Sequence, residues 1–361
     1  MDENLSIVAV SRYGSSGAST RVRMYDWFEH LGLEADRYEY VGTADNQAAT
    51  LVRAAPRVLQ AEVQLRKLVG QLQGRTLLLN RSASPFSSGT LETALLKSAA
   101  HSVYDFDDAI YIDGASSFQR FWSAEKAWTR SVRAADVVIA GSEVLAEEAS
   151  KFRDDVVMIP SCVEPFRYGR KASYEISENP RAVWIGSPAT EPFLARLSEE
   201  LLALNSRYGL RLSVISAGNS SLGRLDSIID RHAWVPDTFY EQIASADIGL
   251  MPLPDTPLTR GKCAYKLLQY GAAGLPVVGT PVGANTSAIQ RMGGLAAGTP
   301  SEWGEAIASI IEMNDNERSN MGARARVAVE KHYSFGAWAT EWLNAVGVSP
   351  KLTPGHSRRE P

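Results

Sequence analysis

Short apolar runs alternate with longer amphipathic stretches along most of the chain. In the first half the runs are Leu5–Val10, Thr76–Leu79, Ser102–Phe106, Val137–Ala140 and Val156–Ile159. In the second half they are Arg181–Ile185, Leu212–Ser216, Ala233–Val235, Ile248–Met251, Pro276–Gly279 and Leu295–Ala296. They are rich in Val, Ile and Leu and lack a strict period of two, the pattern of strands buried on both faces of a parallel sheet. Between them, apolar spacing predicts helices, among them Thr20–Leu31, Leu91–Ala100, Phe118–Ala134, Val144–Phe152, Phe193–Tyr208, Thr238–Ala246 and Trp303–Met313. This repeated strand-helix order predicts an α/β fold.

The repetition breaks once, at Pro160–Pro180 (PSCVEPFRYGRKASYEISENP), where three prolines and turn residues replace apolar periodicity before a new strand, AVWIG. A chain of 361 residues fits two domains. The expected division is a Rossmann-like domain over 1–165, a linker over 166–180 and a second Rossmann-like domain over 181–333. Helix Glu317–His332 follows, and helix 335–346 is expected to cross back to the first domain; its Phe335, Trp338, Trp342 and Leu343 form one stripe. The polar, Pro-rich stretch 347–361 is expected to be a flexible tail. Two doubly wound sheets joined in this way are expected to turn their strand ends toward a shared cleft, where such sheets bind ligands.

Composition narrows the partners. With 45% hydrophobic and 22% charged residues, the chain is neither disordered nor fibrous. A net charge of -4 argues against nucleic acid and for a small molecule. Cys162 and Cys263 lie far apart without a CxxC spacing, so they read as reduced thiols and the protein as cytoplasmic. The N-terminus MDENLSIVAV is acidic, and no apolar stretch approaches the roughly 18–20 residues that span a bilayer.

Three segments carry candidate chemistry. After the first strand, SRYGSSGASTRVR sets glycines and serines ahead of a helix, an arrangement that offers backbone N–H groups to phosphate, although a plain flexible turn is the competing reading. It matches neither a P-loop nor GxGxxG, so an NAD-dependent dehydrogenase is disfavoured. Arg21 and Arg23 stand two apart on the helix and face differently; Arg21, nearer its start, is favoured for the ligand. The second segment, HSVYDFDDA, ends a buried strand in Asp105, Asp107 and Asp108. It is read as contacting a hydroxylated ligand, against the alternatives of an Asp-x-Asp metal site and of helix capping. In the third, LTRGKCAYKLLQYGAAGLPVVG, Lys262, Lys266 and Gln269 fall at i, i+4 and i+7, one face of a predicted helix. A lysine in the first turn opposes the helix dipole, which points to an anionic ligand rather than to a solvated basic face.

AYKLLQYGAAGLPVV followed by GTPVGAN resembles the sugar-nucleotide segment of glycosyltransferase family 4, the glycosyl transferases group 1. SVYDFDDAIY, AADVVIAGSEVLAEEASKF, VVMIPSCVE, WIGSPAT and AWVPDTFYEQIASADIGLMPLP extend the likeness over most of residues 5–340. The resemblance implies the GT-B architecture, two facing Rossmann-like domains with a cleft between them. It implies a retaining, metal-independent glycosyltransferase that needs no cofactor, with a UDP- or GDP-sugar as donor and a small acceptor. The family's E-x7-E pair falls on Gly261 and Gln269; Gln269 keeps the capacity to bond a ribose hydroxyl, whereas Gly261 offers no carboxylate to the donor sugar. The family's Arg and Lys after the first strand of the second domain are also missing, with Ser187 and Thr190 among the residues in their place. Lys262 and Lys266 are expected to supply that charge to the diphosphate, and Arg260 is a further candidate beside Cys263. The resemblance further places Trp234 and Val235 at the base, Gly17, Ser19 and Arg21 near the phosphates, and Asp107 or Asp108 on the acceptor side.

The setting expected is natural-product or glycan biosynthesis, and two other readings stand beside this one: a pseudo-glycosyltransferase that binds without turnover, and a transferase coupling an unusual sugar or pseudosugar to a natural-product acceptor through nitrogen or sulfur. Segment Arg53–Gln71 sets Val58, Ala61, Leu65, Leu68 and Leu72 on one face; a core-facing helix is favoured over peripheral membrane contact. Either a monomer or a homodimer fits.

Overall fold

The structure is a computed structural model that describes residues 6–41, 48–112, 122–176 and 178–348; the expected tail lies almost wholly outside the described residues. The chain divides into two compact units. Unit 1 takes in residues up to Gly141, Leu145–Ile159 and the chain from Trp338 onward, and unit 2 takes Ser142–Val144 and Pro160–Ala337.

Unit 1 is built on six parallel strands: β1 (Ile7–Ser11), β2 (Ala35–Glu39), β3 (Thr76–Asn80), β4 (His101–Phe106), β5 (Val137–Ala140) and β6 (Val156–Met158), in the order β2-β1-β3-β4-β5-β6. β1 and β3 are buried at every position, as helix-covered parallel strands require. β2 escaped the sequence reading because it is an edge strand: its residues, ADRYE, are half-buried or exposed, so no apolar run marks it. The helix after β1 runs from Ala18–Thr20 through a π-helical stretch, Arg21–Tyr25, to Asp26–Leu31. Four consecutive residues, Val22 to Tyr25, are buried there, more than one face of a regular α-helix hides. Arg23 is consequently driven inward. Its guanidinium meets Asp105 at 2.6 Å, both side chains being 1% exposed, and a further N–H reaches the Ile159 carbonyl at 2.9 Å.

The helix Phe335–Val346 closes this core. Trp342 stacks on Trp27 at 5.1 Å, and the His101 imidazole bonds the Ala345 carbonyl at 2.9 Å. Helix Ala55–Val69 packs inward through Ala61, Leu65 and Leu68, while Leu59 and Val63 are exposed; the predicted Arg53–Gln71 stretch is interrupted at Ala54.

Unit 2 holds β7 (Arg181–Ile185), β8 (Arg211–Ser216), β9 (Ile229–Ala233), β10 (Ile248–Met251), β11 (Val277–Gly279) and β12 (Leu295–Ala296), all parallel, in the order β12-β11-β10-β7-β8-β9. Alternate residues of β7 enter different cores: Val183 and Ile185 pack with Leu267, Leu268 and Tyr270, whereas Ala182 and Trp184 pack with Leu201 and Leu212. Both sheet faces are therefore covered.

The segment expected as a linker, 166–180, is fastened to unit 2 as far as it is described. Lys171 pairs with Asp247 at 2.9 Å, the Tyr174 hydroxyl donates to the Gly274 carbonyl at 2.7 Å, and Arg326 donates to the Tyr168 carbonyl at 3.4 Å. The prolines and turn residues that marked it as a linker do not leave it detached, because these bonds hold it to unit 2.

Because removing one partner strands a buried charge, Arg23→Gln should cost about 3–5 kcal/mol of stability in urea unfolding. The double variant Arg23→Met with Asp105→Leu should recover most of that loss. Equal losses for both would show that the cost lies in packing volume rather than in charge.

Candidate functional site

In each sheet the strand order reverses once, between β1 and β3 in unit 1 and between β7 and β10 in unit 2. Open α/β sheets take their ligands outside the carboxyl ends of strands at such reversals.

In unit 2, β7 ends at Ile185, and Gly186 follows. A Cβ there would fall 2.6 Å from the Trp184 ring and 2.8 Å from Lys266 Cε. Only glycine admits this packing, which lays the Lys266 ammonium over the Trp184 ring at 5.5 Å. Lys266 sits in helix Tyr265–Ala272 with Gln269 three residues on, so the two neighbour each other on the helix. Gln269 is 5% exposed.

Lys262 is not on that helix, contrary to the periodicity. A separate short helix, Pro257–Arg260, starts from a Thr256–Thr259 capping box and ends at Gly261. Ala264 then adopts a left-handed conformation, φ +56, as the N-cap of the next helix. Lys262 and Cys263 thus lie in the connection ahead of the helix N-terminus, where the lysine no longer opposes a first turn from within. A left-handed alanine costs backbone energy and is held here by burial at 1% exposure. Gly283, at φ +55, brings its loop against the Arg260 carbonyl so closely that a Cβ would collide. The Arg260 side chain turns instead to Asp255, at 2.6 Å, and the bond from Arg260 holds the Asp255 carboxyl below its usual range.

Ser187 is exposed and Thr190 half-buried on the turn after β7, with Thr190 Oγ1 donating to the Ser187 carbonyl at 3.0 Å. The next residue, Glu191, is 2% exposed and pairs with Arg231 at 3.0 Å, which also donates to the Gly218 and Ser220 carbonyls and so pins the loop after β8. β9 ends at Ala233, earlier than the predicted Ala233–Val235 strand. Trp234 and Val235 consequently fall in the loop beyond it, Trp234 stacked on Phe239 at 5.8 Å and Val235 42% exposed.

In unit 1, Gly17 caps the helix that follows the serine-rich turn, and a Cβ there would press Tyr13 at 2.6 Å. Ser19 donates to Asp107 at 2.5 Å. Arg81, the residue after β3, pairs with Asp107 at 2.8 Å and Asp108 at 3.4 Å from a left-handed backbone, φ +61. Burial pushes the Asp107 carboxyl up, but Arg81, Arg23 and Ser19 outweigh it and hold the group below the usual carboxylate range. The Asp105 carboxyl is raised, burial outweighing its bond to Arg23. The three aspartates thus go to arginines, and among the described residues no group of three or more His, Cys, Asp or Glu side chains is placed to hold a metal ion. Arg21, half-buried, lines a surface cavity of about 560 Å³ together with Tyr25, Glu29 and Arg37.

Residues 180–313, all within unit 2, match the family model described as Glycosyl transferases group 1. No curated protein matches the sequence. Among solved structures, Anabaena Alr3699/HepE in complex with UDP and glucose superimposes with a TM-score of 0.65 at 12% identity, over 95% of this chain and 99% of that one. WaaG, a glycosyltransferase involved in lipopolysaccharide biosynthesis, gives 0.66 at 14% identity, over 96% and 100%. An E. coli protein bound with UDP-2-fluoro glucose gives 0.65 at 11% identity, over 96% and 100%. The fold is GT-B.

Against the GT-B frame, Lys266 and Gln269 come together on one helix and Lys262 and Cys263 in the connection before it, while Ser187 and Thr190 stand on the turn after β7. Arg260 is drawn away by Asp255. Sequence reasoning missed Glu191 and Arg81. The available signal was position: each is a charged residue within a few places of a buried strand's carboxyl end, where solvent-facing turns begin.

A carboxyl held below its ordinary value of about 3.9 stabilises the fold fully above that value and loses its contribution as pH falls through the lowered one. Acid unfolding followed by circular dichroism should therefore fall off more steeply below about pH 4 in the wild type than in Asp107→Asn. Matching slopes would mean that Arg81 does not hold the charge of Asp107.

Proposed function

We propose that the chain is a glycosyltransferase that takes a sugar from a UDP- or GDP-linked donor and passes it to a small acceptor, with retention at the anomeric carbon and without a metal ion. One observation carries the reading: within the segment matched by the group 1 model, Lys266 is seated over Trp184 against Gly186 at the strand reversal, with Lys262 just ahead of the same helix's N-terminus. As the anomeric bond breaks, negative charge builds on the leaving diphosphate. Two ammonium groups and exposed helix N–H groups stabilise that charge without reorganising. The UDP and UDP-sugar held by structural neighbours support a nucleotide sugar as donor.

In this reading the base lies along Trp234 and Val235, and Gln269 bonds a ribose hydroxyl. Gly17, Ser19 and Arg21 approach the phosphates, and Asp107 and Asp108 orient the acceptor. Retention follows from the resemblance: the acceptor attacks on the face the diphosphate leaves, and a leaving phosphate oxygen takes its proton. Gly261 favours a second reading, binding without turnover, because it offers the donor sugar no side chain.

Lys262→Ala and Lys266→Ala should each weaken UDP or GDP binding by about 1.5–3 kcal/mol in titration calorimetry, the range for hydrogen bonds to charged groups. Negligible losses at both positions would return the lysines to a solvated basic face. Gln269→Ala should weaken UDP while leaving inorganic pyrophosphate unchanged; equal losses would remove the ribose contact.

Sugar transfer should continue in excess EDTA. Loss of turnover restored by Mn²⁺ or Mg²⁺ would overturn the metal-independent assignment. Donor binding with no transfer to any hydroxyl, amine or thiol acceptor would favour the second reading.

A further inference from the structure

The serine-rich turn after β1 contains a cation that the assignments above leave unused. The register pairs Ser11 with both Glu39 and Asn80, so Tyr40, Arg12 and Arg81 stand one residue beyond the sheet on three neighbouring strands. Arg12 is in the middle, on the flank of the β1–β3 reversal where this sheet is built to take a ligand.

The arginines around it are already engaged. Arg23 spends its donors on Asp105 and the Ile159 carbonyl, and Arg81 spends its own on Asp107 and Asp108. Arg12 differs. Its Nε is sealed from solvent with no hydrogen-bond partner, and its guanidinium is held over the Tyr13 ring at 5.2 Å. The acids of the neighbouring strand and helix are bonded elsewhere: Glu39 accepts from the Ser15 N–H at 3.0 Å and the Tyr25 hydroxyl at 3.1 Å, and Glu62 from the Tyr40 hydroxyl at 2.9 Å, from Ser84 and from Arg66 at 3.3 Å. Arg12 lies close enough to Tyr40 to act on its hydroxyl electrostatically. Native folds seldom leave a buried N–H unpaired, and a guanidinium fork matches the paired oxygens of a phosphate or carboxylate.

We propose that Arg12 binds an anionic group, a phosphate monoester or a carboxylate, carried by the acceptor. The word acceptor rests on the glycosyltransferase reading; the anion site rests on unit 1 alone. A neutral or cationic acceptor would leave the fork without a partner.

The test is titration calorimetry on the full chain with glucose 6-phosphate, glucuronate, glucose, inorganic phosphate and UDP, using wild type, Arg12→Gln and Arg12→Lys. At least one of the two anionic sugars should bind wild type roughly tenfold or more tightly than glucose, and Arg12→Gln should abolish the difference, as loss of a charged hydrogen-bond pair requires. Arg12→Lys, which keeps the charge but not the fork, should retain part of it and serves if the glutamine variant fails to fold. UDP affinity should not change in either variant.

The proposal is overturned if neither anionic sugar binds better than glucose, or if their affinity survives in Arg12→Gln. It is also overturned if UDP weakens as much as the anionic sugar, which would make Arg12 a donor contact, or if inorganic phosphate binds as tightly as glucose 6-phosphate, which would make this a free-anion site. Arg12-dependent binding of glucose 6-phosphate by a chain that transfers no sugar would sustain the anion site and refute only the transferase reading. Transfer to a neutral acceptor, undiminished in Arg12→Gln, would do the reverse.

Discussion

The guanidinium of Arg23 and the carboxylate of Asp105 meet where water is almost excluded, and unit 1 is arranged around the need to satisfy both. Desolvating two charges is costly, so such a pair is better understood as selecting one arrangement than as adding net stability. It does so by joining distant parts of the chain. Arg23 comes from the π-helical stretch, Asp105 from β4, and the Ile159 carbonyl from the residue after β6. Asn80 donates to Asp105 at 3.0 Å from the end of β3, and Ser19 carries the network on to Asp107 and Arg81. The polar groups at the strand ends are thereby placed by a single connected set of bonds, and a shift in one would unpair others.

Unit 2 solves a similar problem with backbone carbonyls. Arg318 donates to the Tyr174 carbonyl at 2.8 Å and to Met313, while Arg326 donates to Ala272 and Tyr168. These arginines, 4% and 5% exposed, bind the incoming segment and the helix before β11 to helix Asp315–His332. Neither was visible in the sequence, because the helix that carries them reads as a charged surface helix with little apolar periodicity. Most strands were legible for the opposite reason: covered on both faces, they are written as apolar runs. β2 was not, since one edge and much of its surface meet solvent. The candidate site was proposed from the residue types along AYKLLQYGAAGLPVV, and their geometry could not be read there. The periodicity carried Lys262 onto the helix because nothing in an alanine announces the left-handed backbone that starts the helix at Tyr265. Arg81 was marked only by its place just past β3; its left-handed backbone has no sequence signature, and its pairing with Asp107 and Asp108 is seen only in the structure.

The position of helix Phe335–Val346 bears on how the chain acquires its structure. Unit 2 is drawn from almost uninterrupted sequence, Pro160–Ala337, whereas unit 1 is completed by residues from Trp338 onward, including the Trp342 that stacks on Trp27. Synthesis proceeds from the N-terminus, and domains tend to fold as units while the ribosome is still at work. Here the order is inverted for the final step. The second unit has its whole chain before the first receives Trp342, so the apolar surface around Trp27 and Phe28 stays uncovered on the nascent chain until helix Phe335–Val346 has been made. A pause or a stop just before Trp338 would leave unit 2 with all of its residues and unit 1 with an exposed aromatic face, the kind of surface that chaperones hold and that aggregates when they do not.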